Sequence, residues 1–225
     1  MIREVVLDTE TTGLDPAQGH RIVEIGALEL VGHLPTGRTF HHYLNPEREV
    51  PPEAVRIHGL TNEFLAGHPT FAAIADAFLD FLADSPLVIH NAAFDLRFLN
   101  AELERCGRPP LPASRAIDTL LLAQRRFPGQ SNSLDALCRR FGVDASARTR
   151  HGALLDSELL AEVYLHLIGG RQAALAFELA EGREVVRKRR SRPVRPPRPH
   201  AATAEELAAH RAFLNLLSNP LWTRE

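Results

Sequence analysis

Asp8 and Glu10 stand one residue apart at the end of an apolar run, Glu4-Val5-Val6-Leu7-Asp8-Thr9-Glu10-Thr11-Thr12-Gly13. In a strand, residues i and i+2 share a face, so both carboxylates project together. Like charges held side by side repel, and burying them is costly or forces a proton on. A divalent cation between them removes the conflict, and acid pairs of this kind are where hard cations bind. On these two residues alone, a solvated strand end with two incidental acids is an equally good reading. Three further segments carry acids or bases. Leu87-Val88-Ile89-His90 runs into Asn91-Ala92-Ala93-Phe94-Asp95, which puts Asp95 near a helix start. Arg150-His151-Gly152-Ala153-Leu154-Leu155-Asp156 opens a long helical stretch, and Asp118 follows a strand-like triplet. Singly each is weak, because an aspartate at a helix N-terminus is usually a cap. A lone loop histidine is usually a surface residue. Five residues of helix turn about 500°, so His151 and Asp156 would not share a helical face. They converge only if His151 lies in the loop ahead of the helix.

The elements that must position these residues follow from periodicity. After the first strand, Arg21 to Val31 reads as a second and Arg38 to Leu44 as a third, joined by short turns as in an antiparallel meander. Pro51 and Pro52 break the chain ahead of a helix-start pattern. Phe71 to Asp84 carries Ile74, Phe78, Phe81 and Leu82 at helical spacing. Leu87 to His90 is a short apolar strand. Phe94 to Cys106 is an amphipathic helix stopped by Gly107. A strand over Arg115 to Asp118, a helix to Phe127, and helices over Ser133 to Phe141 and Ala153 to Ile168 complete the pattern. Strands first and then alternating with helices predict an α/β sheet domain with helices packed on it.

Composition narrows the class. Of 225 residues, 24% are charged and 44% hydrophobic, as in ordinary globular proteins. No apolar run approaches a membrane span, so no membrane partner is expected. Met1-Ile2-Arg3-Glu4 enters a strand directly, without the apolar stretch of a signal peptide. Cys106 and Cys138 are too few for a disulfide framework or a structural zinc site and read as buried thiols. The expected address is the cytoplasm. The net charge of −2 hides an asymmetry. Residues 1–168 hold 15 arginines against 22 acids, and residues 169–225 hold 11 basic residues against 6 acids. An acidic front cannot grip a polyanion through a broad basic face; it needs metals or a few placed groups.

Together, the three ordered motifs are far more specific than any one. Asp8-Thr9-Glu10-Thr11-Thr12-Gly13, then His90-Asn91-Ala92-Ala93-Phe94-Asp95, then His151 with four residues before Asp156, make residues 1–168 resemble the histidine branch of the DEDD superfamily of 3′–5′ exonucleases. The resemblance implies a ribonuclease H-like fold, a mixed sheet flanked by helices. It implies that Asp8, Glu10, Asp95 and Asp156 hold two Mg²⁺ or Mn²⁺, with Asp8 bridging, Glu10 and Asp156 on the nucleophile's metal and Asp95 on the other. His151, of the side-chain type that ordinarily titrates near neutrality, is implied as the base that takes a proton from the attacking water. Glu53, His58, Asn91 and Phe94 are implied to border the terminal nucleotide, with Asp8, Glu10 and Asp156 beside it. A turn role for Asn91 and a packing role for Phe94 are equally open from the residues themselves. Asp118 resembles an acid that supports the site, and a helix cap explains it as well. The substrate implied is a single-stranded 3′ end of DNA, threaded into a narrow pocket.

The tail bears on the address. Residues 183–201 hold a basic, proline-rich run that cannot build a core and is expected to be a flexible linker. Beyond it, within 202–225, Thr203 to Leu217 reads as a helix with Thr203 and Glu206 at capping-box spacing. Leu207, His210, Phe213 or Leu214, and Leu217 share one face, and Trp222 follows. Such a helix is expected to dock on a partner or to fold back on the main domain. Over nearly its full length the chain resembles proofreading exonuclease subunits of bacterial replicative polymerases. That resemblance makes residues 202–225 a polymerase-binding tail for the alpha subunit, through Leu207, Phe213, Leu214, Leu217 and Trp222. It makes Gln172, Leu175 and Phe177, within residues 169–182, the anchors of a sliding-clamp-binding segment. A small third core subunit is also admitted, and the location implied is a nucleoid-associated replisome. A standalone exoribonuclease would share the site without needing the tail. A catalytically silent tether would need only the docking segments.

Overall fold

The computed structural model describes residues 2–146, 148, 150–170 and 201–217. They fall in two units, the first holding residues 2–170 and the second residues 201–217. In the first, β1 (Arg3–Thr11), β2 (Ile22–Val31) and β3 (Leu34–Tyr43) form an antiparallel meander. β4 (Leu87–Ile89) then pairs parallel with β1, and β5 (Ala116–Asp118) parallel with β4. The sheet order is β3-β2-β1-β4-β5. The helices are α1 (Pro52–His58), α2 (Asn62–Leu65), α3 (Phe71–Leu82), α4 (Ala92–Arg105), α5 (Thr119–Arg126), α6 (Leu134–Phe141) and α7 (Ala153–Leu167). This is the expected mixed sheet flanked by helices. β3 starts four residues earlier than the sequence pattern predicts. Gly32 and His33, both at positive φ, close a two-residue hairpin turn directly after β2. Pro35 is tolerated because β3 is an edge strand. The expected buried thiols divide: Cys138 is buried, whereas Cys106, at the end of α4, is partly exposed.

The core lies on both faces of β1, and strand alternation sorts it. Val5 and Leu7 pack with Phe71, Phe78, Leu99 and Leu103 of α3 and α4. The opposite face belongs to α7. There the Tyr164 hydroxyl donates to Glu4 Oε1 at 2.7 Å, and Val6 packs with Leu160 and Ala161. Two residues of strand advance about 6.7 Å and four residues of helix about 6 Å, so the two elements keep step. Continuing that ladder from Glu4 and Val6 to Asp8 leads along α7 from Tyr164 and Leu160 to Asp156.

The close seat of α7 depends on Gly26 in β2. A Cβ there would lie 2.1 Å from Leu154 N and 2.2 Å from Ala153 C. The Ser157 hydroxyl donates to the Gly26 carbonyl at 2.9 Å, tying helix to strand. In the second unit, α8 (Ala204–Leu214) opens with the expected capping box between Thr203 and Glu206. The helix ends at Leu214, so Leu217 falls beyond it in a turn closed by Leu216 and Leu217 amides. Leu207, Phe213, Leu216 and Leu217 are exposed. The clamp-segment residues Gln172, Leu175 and Phe177, most of the 183–201 linker, and Trp222 lie outside the described residues. Among the described residues no helix is long and apolar enough to cross a membrane.

Candidate active site

The acid-bearing end of β1 meets the starts of α4 and α7 at one end of the sheet. Asp95 stands in the first turn of α4 because the chain reverses at Asn91, which adopts φ 64°. The Asn91 and Ala92 amides donate to the Asp118 carboxylate, at 3.2 and 3.1 Å. The same carboxylate caps α5 by accepting from Leu120 and Leu121. Asp118 is therefore a cap for α5 and an anchor for the turn that aims α4. Asn91 is a turn residue and also lines the cleft. The Thr9 hydroxyl donates to Asp95 Oδ1 at 2.7 Å, locking α4 to β1.

From the other layer, Gly152 precedes α7 and Asp156 lies in its first turn. His151 sits in the loop ahead of that helix, the one placement that lets it approach Asp156. Its backbone N–H donates to Ile57 O of α1, and its Nδ1 lies 3.4 Å from Asp156 Oδ2. Ligand atoms of Glu10, His151 and Asp156 come within 4.8 Å of one another. Asp8 and Asp95 line the same cleft, of about 500 Å³. All four acids and His151 are thus brought together.

The cluster is electrostatically strained. Asp95 and Asp156 are 3% exposed and Glu10 is 9%. Burial, then Asp156, Glu24 and Asp95, push Glu10 up to about 8. Burial raises Asp95 to about 7 against the opposing Thr9 hydrogen bond. Asp8 keeps part of its surface open to the cleft, yet burial is the largest cause of its marked rise, ahead of Asp95, Glu10 and Asp156. Four converging carboxylates with hard oxygen donors suit divalent cations.

A second cleft, of about 550 Å³, adjoins the first and shares Thr9, Glu10 and Phe94 with it. Glu53 and His58 line it, with Leu14 and Ile57. Phe94 packs against the core and the Phe98 ring while bordering both clefts, so its two expected roles coincide. His58 is buried, and its Nδ1 accepts the Leu60 amide at 3.0 Å. Its Nε2 therefore carries the proton of the neutral ring. That atom makes no well-aligned hydrogen bond, although the Thr11 carbonyl lies near enough to counter part of the depression that burial causes.

Sequence reasoning missed two participants. Arg148 makes a two-pronged ion pair with Asp156 and also reaches Asp135 of α6. Glu24, buried on β2 directly opposite Glu10, pairs with His41 Nε2 at 2.8 Å. A lone arginine in an irregular loop and a charge inside an apolar strand carry no periodic signal. For Glu24, the one available signal is its charge at a position the strand buries.

The pattern of the family described as Exonuclease matches residues 5–164. DNA polymerase III subunit epsilon of Rickettsia conorii is 51% identical over 222 residues, 95% of this chain and 96% of that relative. This chain belongs to the DNA polymerase III subunit epsilon family. The epsilon subunit of Escherichia coli is 47% identical over 229 residues, 96% of this chain and 93% of that protein. Among solved structures, Exonuclease X in complex with 5′ overhanging duplex DNA is similar at 27% identity and a TM-score of 0.57, over 75% of this chain and 91% of that one. The nuclease domain of 3′hExo, a DEDDh family member bound to rAMP, shares the fold at a TM-score of 0.64. Its identity is 20%, over 74% of this chain and 91% of that one. The exonuclease family to which this epsilon-type chain belongs is divalent-metal dependent.

Proposed function

We propose that this protein is a proofreading 3′–5′ DNA exonuclease that hydrolyses the terminal phosphodiester of a mispaired 3′ end during replication. The observation that carries the reading is the convergence of Asp8, Glu10, Asp95, Asp156 and His151 in one cleft, in a chain that aligns with epsilon subunits along 95% of its length. The four carboxylates would hold two Mg²⁺ or Mn²⁺. Glu10 and Asp156 close together, with Asp95 arriving from the other layer, support a division of ligands between two cations. Such cations supply Lewis-acid activation of a water and stabilisation of the leaving 3′ oxygen. His151, half-exposed at the cleft rim, takes the proton from that water. Phe94 offers a ring face for base stacking. Glu53 and the buried His58 Nε2–H offer one acceptor and one donor to the terminal nucleotide. The adjoining cleft suits a single-stranded end.

The remaining assignments concern the address. Residues 1–168 form the nuclease domain, residues 169–182 bind the sliding clamp through Gln172, Leu175 and Phe177, and residues 183–201 are a linker. Residues 202–225 bind the polymerase alpha subunit. The exposed apolar side chains of Leu207, Phe213 and Leu217 and the capped α8 support the docking role, with Leu214 and Trp222 completing it. The assembly works in the cytoplasm at the nucleoid. A standalone exoribonuclease would need no such tail. The decisive test of the reaction is Asp8→Ala, assayed on a single-stranded DNA oligonucleotide with Mg²⁺. Trimming from the 3′ end should vanish while the melting temperature of the metal-free protein is retained. Persistent trimming would sink the metal assignment.

A further inference from the structure

Arg148 has no part in the chemistry above, yet it lines the same cleft. Its side chain is only 8% exposed. Nε donates to Asp156 Oδ1 at 2.5 Å and Nη2 to Asp156 Oδ2 at 2.7 Å. Nη1 donates to Asp135, whose side chain is 57% exposed. Nη2 also donates to His151 Nδ1 at 2.8 Å. Both oxygens of one proposed metal ligand are therefore engaged, and so is one nitrogen of the proposed base. A guanidinium can only donate, so Nδ1 must be the accepting nitrogen. The neutral ring then keeps its hydrogen on Nε2 and has no free lone pair for a further proton. In this arrangement His151 is not a base. The charge of Arg148 also reaches Asp8 and Glu10, where it opposes the effect of their acidic neighbours.

We propose that Arg148 is a resident counter-cation, held on Asp156 while the site lacks metal and released from it when a divalent cation is held there, so that the same movement frees His151. The inference rests on the proposed metal role of Asp156. Guanidinium and divalent cation repel each other on one carboxylate, and the Arg148 fork already engages both Asp156 oxygens. Asp135, on the solvent side, is the partner that Arg148 keeps after release. Arg148 is thus a positioning residue for the base and a competitor for the metal.

Two measurements on the full chain test this: calorimetric titration with Mn²⁺, and thermal unfolding with and without Mn²⁺. Arg148→Gln removes the charge and keeps a polar side chain, and Arg148→Ala removes both. Each variant should bind Mn²⁺ at least about fivefold more tightly than the parent, the lower end of ordinary coupling between linked sites. The metal-free variants should melt at lower temperature, while the Mn²⁺-saturated variants match the parent. A variant that folds only with Mn²⁺ is the extreme form of the same result. Equal losses of melting temperature in both states, or unchanged or weaker Mn²⁺ binding, would make Arg148 merely structural and overturn the proposal. If neither variant folds in either state, Arg148→Lys decides by the same titration, because it keeps the charge and loses the fork. Asp8→Ala separates the two levels. Loss of Mn²⁺ binding there, with parent-like binding in the Arg148 variants, leaves the metal site standing and removes only the counter-cation role. A parent that binds no Mn²⁺ removes both.

Discussion

Glu10 is strained by burial among its acidic neighbours. Its carboxyl is raised to about 8, first by burial and then by Asp156, Glu24 and Asp95. The native state therefore holds this proton more tightly than the unfolded chain does. The resulting stability is fully present below the unfolded carboxylate pKa and is lost as pH rises through about 8. Asp95, raised to about 7, acts in the same direction. In chelator, the melting temperature should fall as pH rises from about 5 to about 8, and Glu10→Gln should flatten that fall. At the alkaline end the variant should melt higher, by roughly 2–4 °C for each kcal/mol relieved. An equally steep fall in Glu10→Gln would clear Glu10 as the source. His151→Ala should lower the trimming rate by about 10²–10⁴-fold with far less change in Mn²⁺ affinity. If affinity falls in step with rate, His151 is a ligand and not a base. The acid pair was legible in the sequence because strand alternation puts Asp8 and Glu10 on one face. Arg148 and Glu24 were not, because their roles exist only as contacts across elements.

Helix α7 is the element that completes the site, and its seat on β2 sets where Asp156 stands. Gly26→Ala would put a Cβ against the backbone of Ala153 and Leu154. Backbone cannot rotate away as a flexible side chain can. The expected cost is about 1–3 kcal/mol in denaturant unfolding, with a large loss of trimming as Asp156 shifts from Asp8 and Glu10. Wild-type stability together with wild-type rate would show that the close approach is dispensable. Both elements were readable in advance, β1 from its apolar run and α7 from its helical pattern. Their register was not readable: a glycine within an apolar strand looks like any weak strand position until a helix is packed on it. β3 began earlier than its pattern implied for a related reason. Pro35-Thr36-Gly37 has turn-like composition, and only the edge position makes it acceptable as strand.

At the scale of the whole molecule, the proposed function assigns cutting and docking to different stretches of chain. Deleting residues 200–225 should abolish capture by the polymerase alpha subunit in a pull-down and leave trimming of free single strands nearly unchanged, since all four acids and His151 belong to residues 1–168. A truncated chain that still co-purifies with the polymerase would end the tail assignment. Replacing Gln172 and Phe177 by alanine should weaken clamp capture alone. The capping box at Thr203 and Glu206 was legible because it is a purely local pattern. The helix end at Leu214 was not, because the apolar periodicity runs on to Leu217 after the backbone has turned. Local order and spacing by themselves determined the α/β class, the three acid motifs and the loop placement that His151 needs. They act through backbone geometry, which repeats every two or every 3.6 residues. Tertiary structure alone decided that Gly26 admits α7, that Asp118 anchors two helix starts and that Arg148 closes on Asp156. Those outcomes depend on distances between residues far apart in the chain, and no sequence period encodes them.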